Sequence, residues 1–120
     1  MKINIIKING IDVAEIISEE IVISDNQDAL DLIANCFYNS GSNKIIIYEK
    51  NLTPDFFDLK TGIAGEILQK FSNYNSRLII VGDFSKYTSK SLKDFIYESN
   101  KQKNILFLNS KDEIKQYLRE

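Results

Sequence analysis

Two short stretches hold the residues whose types and spacing could do chemistry. The first is Asp58-Leu59-Lys60-Thr61-Gly62, followed by Ile63-Ala64-Gly65. A hydroxyl and a glycine just ahead of a helical pattern place Thr61 beside free backbone N–H groups, where an added phosphate would be favoured. Asp58, Thr61 and Gly62 are therefore candidates for a regulatory or partner-binding position. The same residues also suit a plain helix start, with Asp58 as the cap and the glycines allowing close packing. The second stretch runs from Asp83 to Ser89. Asp83, Ser85, Lys86, Thr88 and Ser89 supply hydroxyls and charge after an apolar run, with Lys90 beyond them. Open α/β sheets bind ligands outside the carboxyl ends of their strands, and a helix N-terminus there attracts anions. A solvated loop with Thr88 or Ser89 as the helix cap accounts for the same residues. No Gly-x-x-x-x-Gly-Lys pattern makes it a phosphate loop.

The elements that must position these stretches are legible as periodicities. Lys2 to Ile8 alternates, Asn9-Gly10 is a two-residue hairpin turn, and Ile11 to Ile17 returns as a second strand. Ile21-Val22-Ile23 is a short extended piece. Ser24 and Gln27 form a capping box for a helix bearing Ala29, Leu30, Ile33 and Phe37, its stripe widened by Leu32 and Cys36. Ile45–Ile47, Leu78–Val81 and Ile105–Leu108 are apolar on both faces, as strands covered by helices are. Thr53-Pro54-Asp55 opens the helix between the first two of these runs, and its spacing resumes with Ile63, Ile67, Leu68 and Phe71. A third helix carries Leu92, Phe95 and Ile96. Ser110 and Glu113 form a second capping box before Ile114, Tyr117 and Leu118. The expected fold class is α/β: a single domain over residues 1–120, with a mixed sheet, mostly parallel core strands after an N-terminal hairpin, and about four flanking helices.

The 120 residues suffice to bury about two thirds of the unfolded surface without disulfide or metal. With 43% hydrophobic and 27% charged residues the chain is globular in type. It contains no histidine, which removes Ser-His and Cys-His catalysis, His-ligated metals and the usual base near neutral pH. The one cysteine, Cys36, excludes an internal disulfide and lies on an apolar stripe. A formal charge of −2 and scattered tyrosines argue against nucleic acid, and no apolar run reaches the length of a membrane span. Asp83 taken alone as a phosphoacceptor lacks the paired acids that a magnesium site needs after the first strand. The reading is a cytoplasmic, non-enzymatic protein with no cofactor. Its partner is another protein, with a homodimer left open.

Three segments carry a resemblance: Asn51 to Leu59 and Thr61 to Phe71, Val81 to Phe95, and Asp28-Ala29-Leu30-Asp31-Leu32. Over most of residues 15–118 the chain resembles the bacterial family called domain of unknown function 4180, which implies no activity. Its element order also resembles the STAS domain, the fold of anti-sigma-factor antagonists and of the cytosolic tails of sulfate transporters. That resemblance implies a regulatory, protein-binding domain in which Thr61 takes the place of a phosphorylatable serine at a helix start.

Overall fold

The computed structural model describes residues 1–102 and 104–118. Strands β1 (Lys2–Ile8) and β2 (Ile11–Ile17) pair antiparallel, with Ile8 opposite Ile11 and Lys2 opposite Ile17. Asn9 and Gly10 join them at φ 53° and 81°, the two positive values that this tightest of turns demands. Strands β3 (Lys44–Tyr48), β4 (Arg77–Val81) and β5 (Ile105–Leu108) follow in parallel, and the five strands lie in the order β1-β2-β3-β4-β5. Helices α1 (Asn26–Ser40), α2 (Ile63–Asn73) and α3 (Lys90–Gln102) occupy the three crossovers.

Because each crossover joins neighbouring parallel strands with the same hand, all three helices fall on one face. The packing shows this: Leu32 and Cys36 of α1, Ile67 and Phe71 of α2 and Leu92 of α3 share one core with Ala14, Ile16, Ile45, Ile47, Leu78, Ile80, Ile105 and Phe107. The alternate strand residues, Val13, Ile46, Ile79, Val81, Leu106 and Leu108, point the other way. They form a second core under Ile114 and Leu118. That face is covered by the C-terminal segment, which the Asn9 side chain holds by donating to the carbonyls of Lys115 and Leu118, each at 2.9 Å. The expected apolar strands are thus buried on both faces, and the fold class is the mixed, mostly parallel α/β sheet expected.

Local details differ from the sequence pattern. Helix α1 is capped by Asp25, not Ser24. The Asp25 carboxylate accepts from the Asp28 N–H at 2.9 Å, and the Asp28 carboxylate accepts from the Ser24 N–H and O–H at 2.9 and 2.6 Å. Carboxylates win because they are the stronger acceptors at the positive end of a helix. Phe37 is 62% exposed instead of lying in the core, since Ile33 and Cys36 already complete the buried stripe.

Thr53-Pro54-Asp55 does not open a continuous α-helix. Residues Pro54–Phe57 and Leu59–Thr61 are separate 3₁₀ turns, and α2 begins only at Ile63. Asp58, between the two turns, is extended at φ −103° and ψ 99°, which interrupts the helical path after the buried Phe56 and Phe57. Gly62, at φ 78°, then halts the turns before the helix. The fourth helical piece, Lys111–Gln116, is 3₁₀ as well, and Ser110 makes no side-chain cap. Six residues are too few for a self-sustaining α-helix, so contacts with the sheet and Asn9 set its path.

Candidate functional site

The carboxyl ends of β3 and β4, with the loops that follow them, form the most elaborated polar region. Its organiser is Asn51, a fully buried side chain in the 3₁₀ turn Glu49–Asn51 after β3. Its Nδ2 donates to the carbonyls of Ser18 and Glu20 at 2.9 and 2.8 Å, and its Oδ1 accepts from the Tyr48 N–H at 3.2 Å. Its backbone carbonyl accepts from the N–H groups of Val22 and Ile23 at 2.7 and 3.1 Å. The chain leaving β2 is thereby bound to the end of β3, where Ile23 and Leu52 make a single parallel bridge.

Glu49 lies against Gly82 at the end of β4. A Cβ on residue 82 would stand 2.6 Å from the Glu49 Cβ and 2.8 Å from its Oε1, so only glycine permits this approach. The Glu49 carboxylate accepts from the Tyr87 hydroxyl and sits 2.7 Å from the Lys86 ammonium. Burial, and then the bond to Glu49, push the Tyr87 hydroxyl pKa well above its ordinary value, which keeps it a proton donor. The Tyr87 ring stacks on Phe57 at 4.8 Å and 13°, and Lys86 Nζ lies 5.4 Å from the Tyr87 ring centre. A crevice of about 290 Å³ opens beside them, walled by Ile21, Leu52 and Pro54. Gly82→Ala is expected to cost about 2 kcal/mol, the scale of an overpacked site. Urea denaturation would measure it, and the loss should persist in a Glu49→Ala background, because alanine keeps the Cβ that a Cβ on residue 82 would meet at 2.6 Å.

A matching cluster occupies the opposite face of the sheet. Glu15 is 4% exposed, and its carboxylate accepts from the Tyr48 hydroxyl and from Lys111 Nζ, the latter at 3.0 Å. Burial pushes the Glu15 carboxyl up. The hydrogen bonds from Tyr48 and Lys111 and the Lys111 charge together outweigh that and hold it below its ordinary value. Burial, then the bond to Glu15, raise Tyr48.

With this geometry in view, the family model described as Domain of unknown function (DUF4180) matches residues 8–118. The chain belongs to that family. No curated protein sequence matches this DUF4180 chain. A solved structure similar to it is that of a candidate anti-sigma factor antagonist from Thermotoga maritima, 14% identical, with 99% of this chain and 94% of that one covered and a TM-score of 0.49.

In the DUF4180 domain both stretches singled out from sequence lie at the carboxyl end of the sheet. Asp58 caps the turn Leu59–Thr61 by accepting from the Lys60 N–H. Thr61 is exposed, with its Oγ1 within 2.9 and 2.8 Å of the Asp55 and Asp58 carbonyls and accepting from the Ile63 N–H at 3.2 Å. Gly62 is the left-handed residue immediately before α2.

In the second stretch the Asp83 carboxylate accepts from the Ser85 N–H and O–H at 3.0 and 2.6 Å, which holds its carboxyl below the ordinary value. The Ser89 hydroxyl accepts from the Leu92 N–H at 3.3 Å, as a helix cap does. Lys86 pairs with Glu49 and Lys90 with Asp94, while Thr88 is exposed. Lys86 and Lys90 thus each face a carboxylate of the chain, Ser89 faces the first turn of α3, and Asp83 adds a negative charge to the loop.

Sequence reasoning passed over Asn51, Glu49, Tyr87 and Glu15 as site residues. Glu15 carries a signal, being a lone carboxylate among Val13, Ala14, Ile16 and Ile17. A buried charge of that kind needs a partner. The carbonyls that Asn51 Nδ2 binds and the Tyr87 hydroxyl on Glu49, by contrast, lie 31 to 38 residues away along the chain. Among the described residues no group of three or more His, Cys, Asp or Glu is placed to hold a metal ion, and no helix is long and apolar enough to cross a membrane.

Proposed function

We propose that this domain is a cytoplasmic regulatory module, without catalytic activity of its own, that binds a protein partner through the surface at the start of α2. Thr61 is the regulatory position. The observation that carries the reading is its combination of exposure and connectivity. One exposed hydroxyl lies within hydrogen-bond distance of carbonyls in the two preceding turns and of the first N–H of α2. Phosphorylation would remove the hydroxyl proton that the carbonyls share. It would also add about −1.5 to −2 charges beside the unpaired N–H groups of the helix start. The turns Pro54–Phe57 and Leu59–Thr61 would re-seat on α2 while the sheet stayed as it is. That is a change of surface without a change of fold, which is what a binding switch requires.

The test is affinity capture with the wild-type domain and with Thr61→Ser, Thr61→Ala and Thr61→Glu, each first shown to be folded by circular dichroism. A protein retained by wild type and Thr61→Ser and lost with Thr61→Glu is the expected result. Equal retention by all four overturns the assignment of Thr61.

A further inference from the structure

We propose that the crevice at the ends of β3 and β4 is a binding site for a small apolar α-amino acid. Its volume of about 290 Å³ lies at the lower limit of the roughly 300–1,000 Å³ of pockets for drug-sized molecules and suits a metabolite of about ten non-hydrogen atoms. Leu52, Phe57 and Ile21 supply apolar wall, and three charged side chains reach it: Glu49, Lys50 and Lys86.

The three charges are not equivalent. Glu49 is fixed. It packs against Gly82, its side chain is 14% exposed, and Oε2 receives the Tyr87 hydroxyl and the Lys86 ammonium. Its other oxygen, Oε1, lies on the Gly82 side and makes no hydrogen bond among the described residues, so the carboxylate keeps acceptor capacity. The two lysines are more exposed. Lys86 is 58% exposed, and Lys50 pairs with Glu19, whose side chain is 91% exposed, a pairing of the kind worth little in water.

A fixed carboxylate beside two exposed ammonium groups is complementary to a zwitterion. The ligand's ammonium would take the Glu49 carboxylate, its own carboxylate would draw in Lys50 and Lys86, and its side chain would lie on Leu52 and Phe57. A simple anion would face the Glu49 charge, and a simple amine would face both lysines; each would leave a charged group opposed. The site does not include Thr61 and is tested separately, although Pro54 and Phe57 of its wall belong to the turn that the Thr61 reading re-seats.

The experiment titrates the full chain with L-leucine, with 4-methylpentanoate, which lacks the ammonium, and with 3-methylbutylamine, which lacks the carboxylate. Binding is read from amide NMR shifts. Saturable shifts at Ile21, Leu52 and Tyr87 are expected with leucine below about 10 mM, with each half-molecule about tenfold weaker. Glu49→Gln should weaken leucine while leaving 4-methylpentanoate unweakened. Lys50→Met, at an exposed position outside the packed core, should weaken leucine while leaving 3-methylbutylamine unweakened. Absence of saturable shifts with leucine overturns the proposal, and so does equal binding of leucine and 4-methylpentanoate.

Discussion

Asn51→Leu is expected to destabilise the protein by about 3–5 kcal/mol, a large part of the total stability of a domain this size. Leucine has the same number and branching of side-chain heavy atoms as asparagine, so no cavity is left and the loss is chiefly one of hydrogen bonds. It comes from three part-buried backbone groups that lose their side-chain partner: the carbonyls of Ser18 and Glu20 and the N–H of Tyr48. Each such orphan costs about 1–3 kcal/mol. The bonds from Val22 and Ile23 to the Asn51 backbone carbonyl would survive, so the damage should begin at residues 18–20 and at the end of β3. Urea denaturation gives the magnitude, and hydrogen exchange should show protection lost first at Tyr48, whose N–H loses its acceptor, with Val22 and Ile23 following later. Asn51→Asp, which keeps the acceptor for Tyr48 and loses both donors, should fall almost as far. A cost below about 1 kcal/mol for Asn51→Leu, within the usual net value of a single hydrogen bond, would show that Asn51 does not organise this region.

Lys111→Met should cost about 2 kcal/mol at pH 7, and the cost should shrink as the pH falls toward 4. Removing one partner of a buried ion pair commonly costs about 3–5 kcal/mol. The smaller figure applies because Lys111 itself is half exposed, so water can reach part of the gap, while Glu15 is buried. The pH dependence follows from the direction of the Glu15 shift. In the wild type the Glu15 carboxyl lies below its ordinary value of 4.5. Its contribution to stability is therefore complete above about that pH and is lost as the pH falls through the folded-state pKa. Without Lys111 burial prevails and the carboxyl rises, so the variant suffers most where Glu15 is forced to ionise. Denaturant midpoints of both proteins between pH 4 and 7 should diverge as the pH increases. Parallel curves would mean that Lys111 contributes little to holding Glu15 ionised. Because Lys111 begins the C-terminal segment, the variant should also lose protection at Ile114.

The sheet could be read from sequence because its signals are local. Ile45–Ile47, Leu78–Val81 and Ile105–Leu108 are too apolar to face water on either side, and helical spacing between them leaves parallel crossovers as the economical connection. Asn9-Gly10 determines its turn through the φ values those two residues tolerate. The helix boundaries were less legible. Ser24 and Asp25 are both good caps, and only the geometry of Asp28 selects between them. Thr53-Pro54 reads as a helix start, yet the extended backbone at Asp58 breaks the chain into turns.

By itself the sequence determined the class of fold, the strands, the absence of histidine chemistry, and Thr61 and Asp83–Ser89 as places where polar side chains follow apolar strands. The tertiary structure alone decided which of those side chains meet. Register brings Glu15 beside Tyr48, the return of the C-terminal segment brings Lys111 to both, and the absence of a side chain at Gly82 lets Glu49 approach Tyr87 and Lys86. Periodicity records which face a residue occupies. It does not record which distant residue occupies the same point, because that depends on strand order and loop path, and burying a charge or an amide requires its partner at that point.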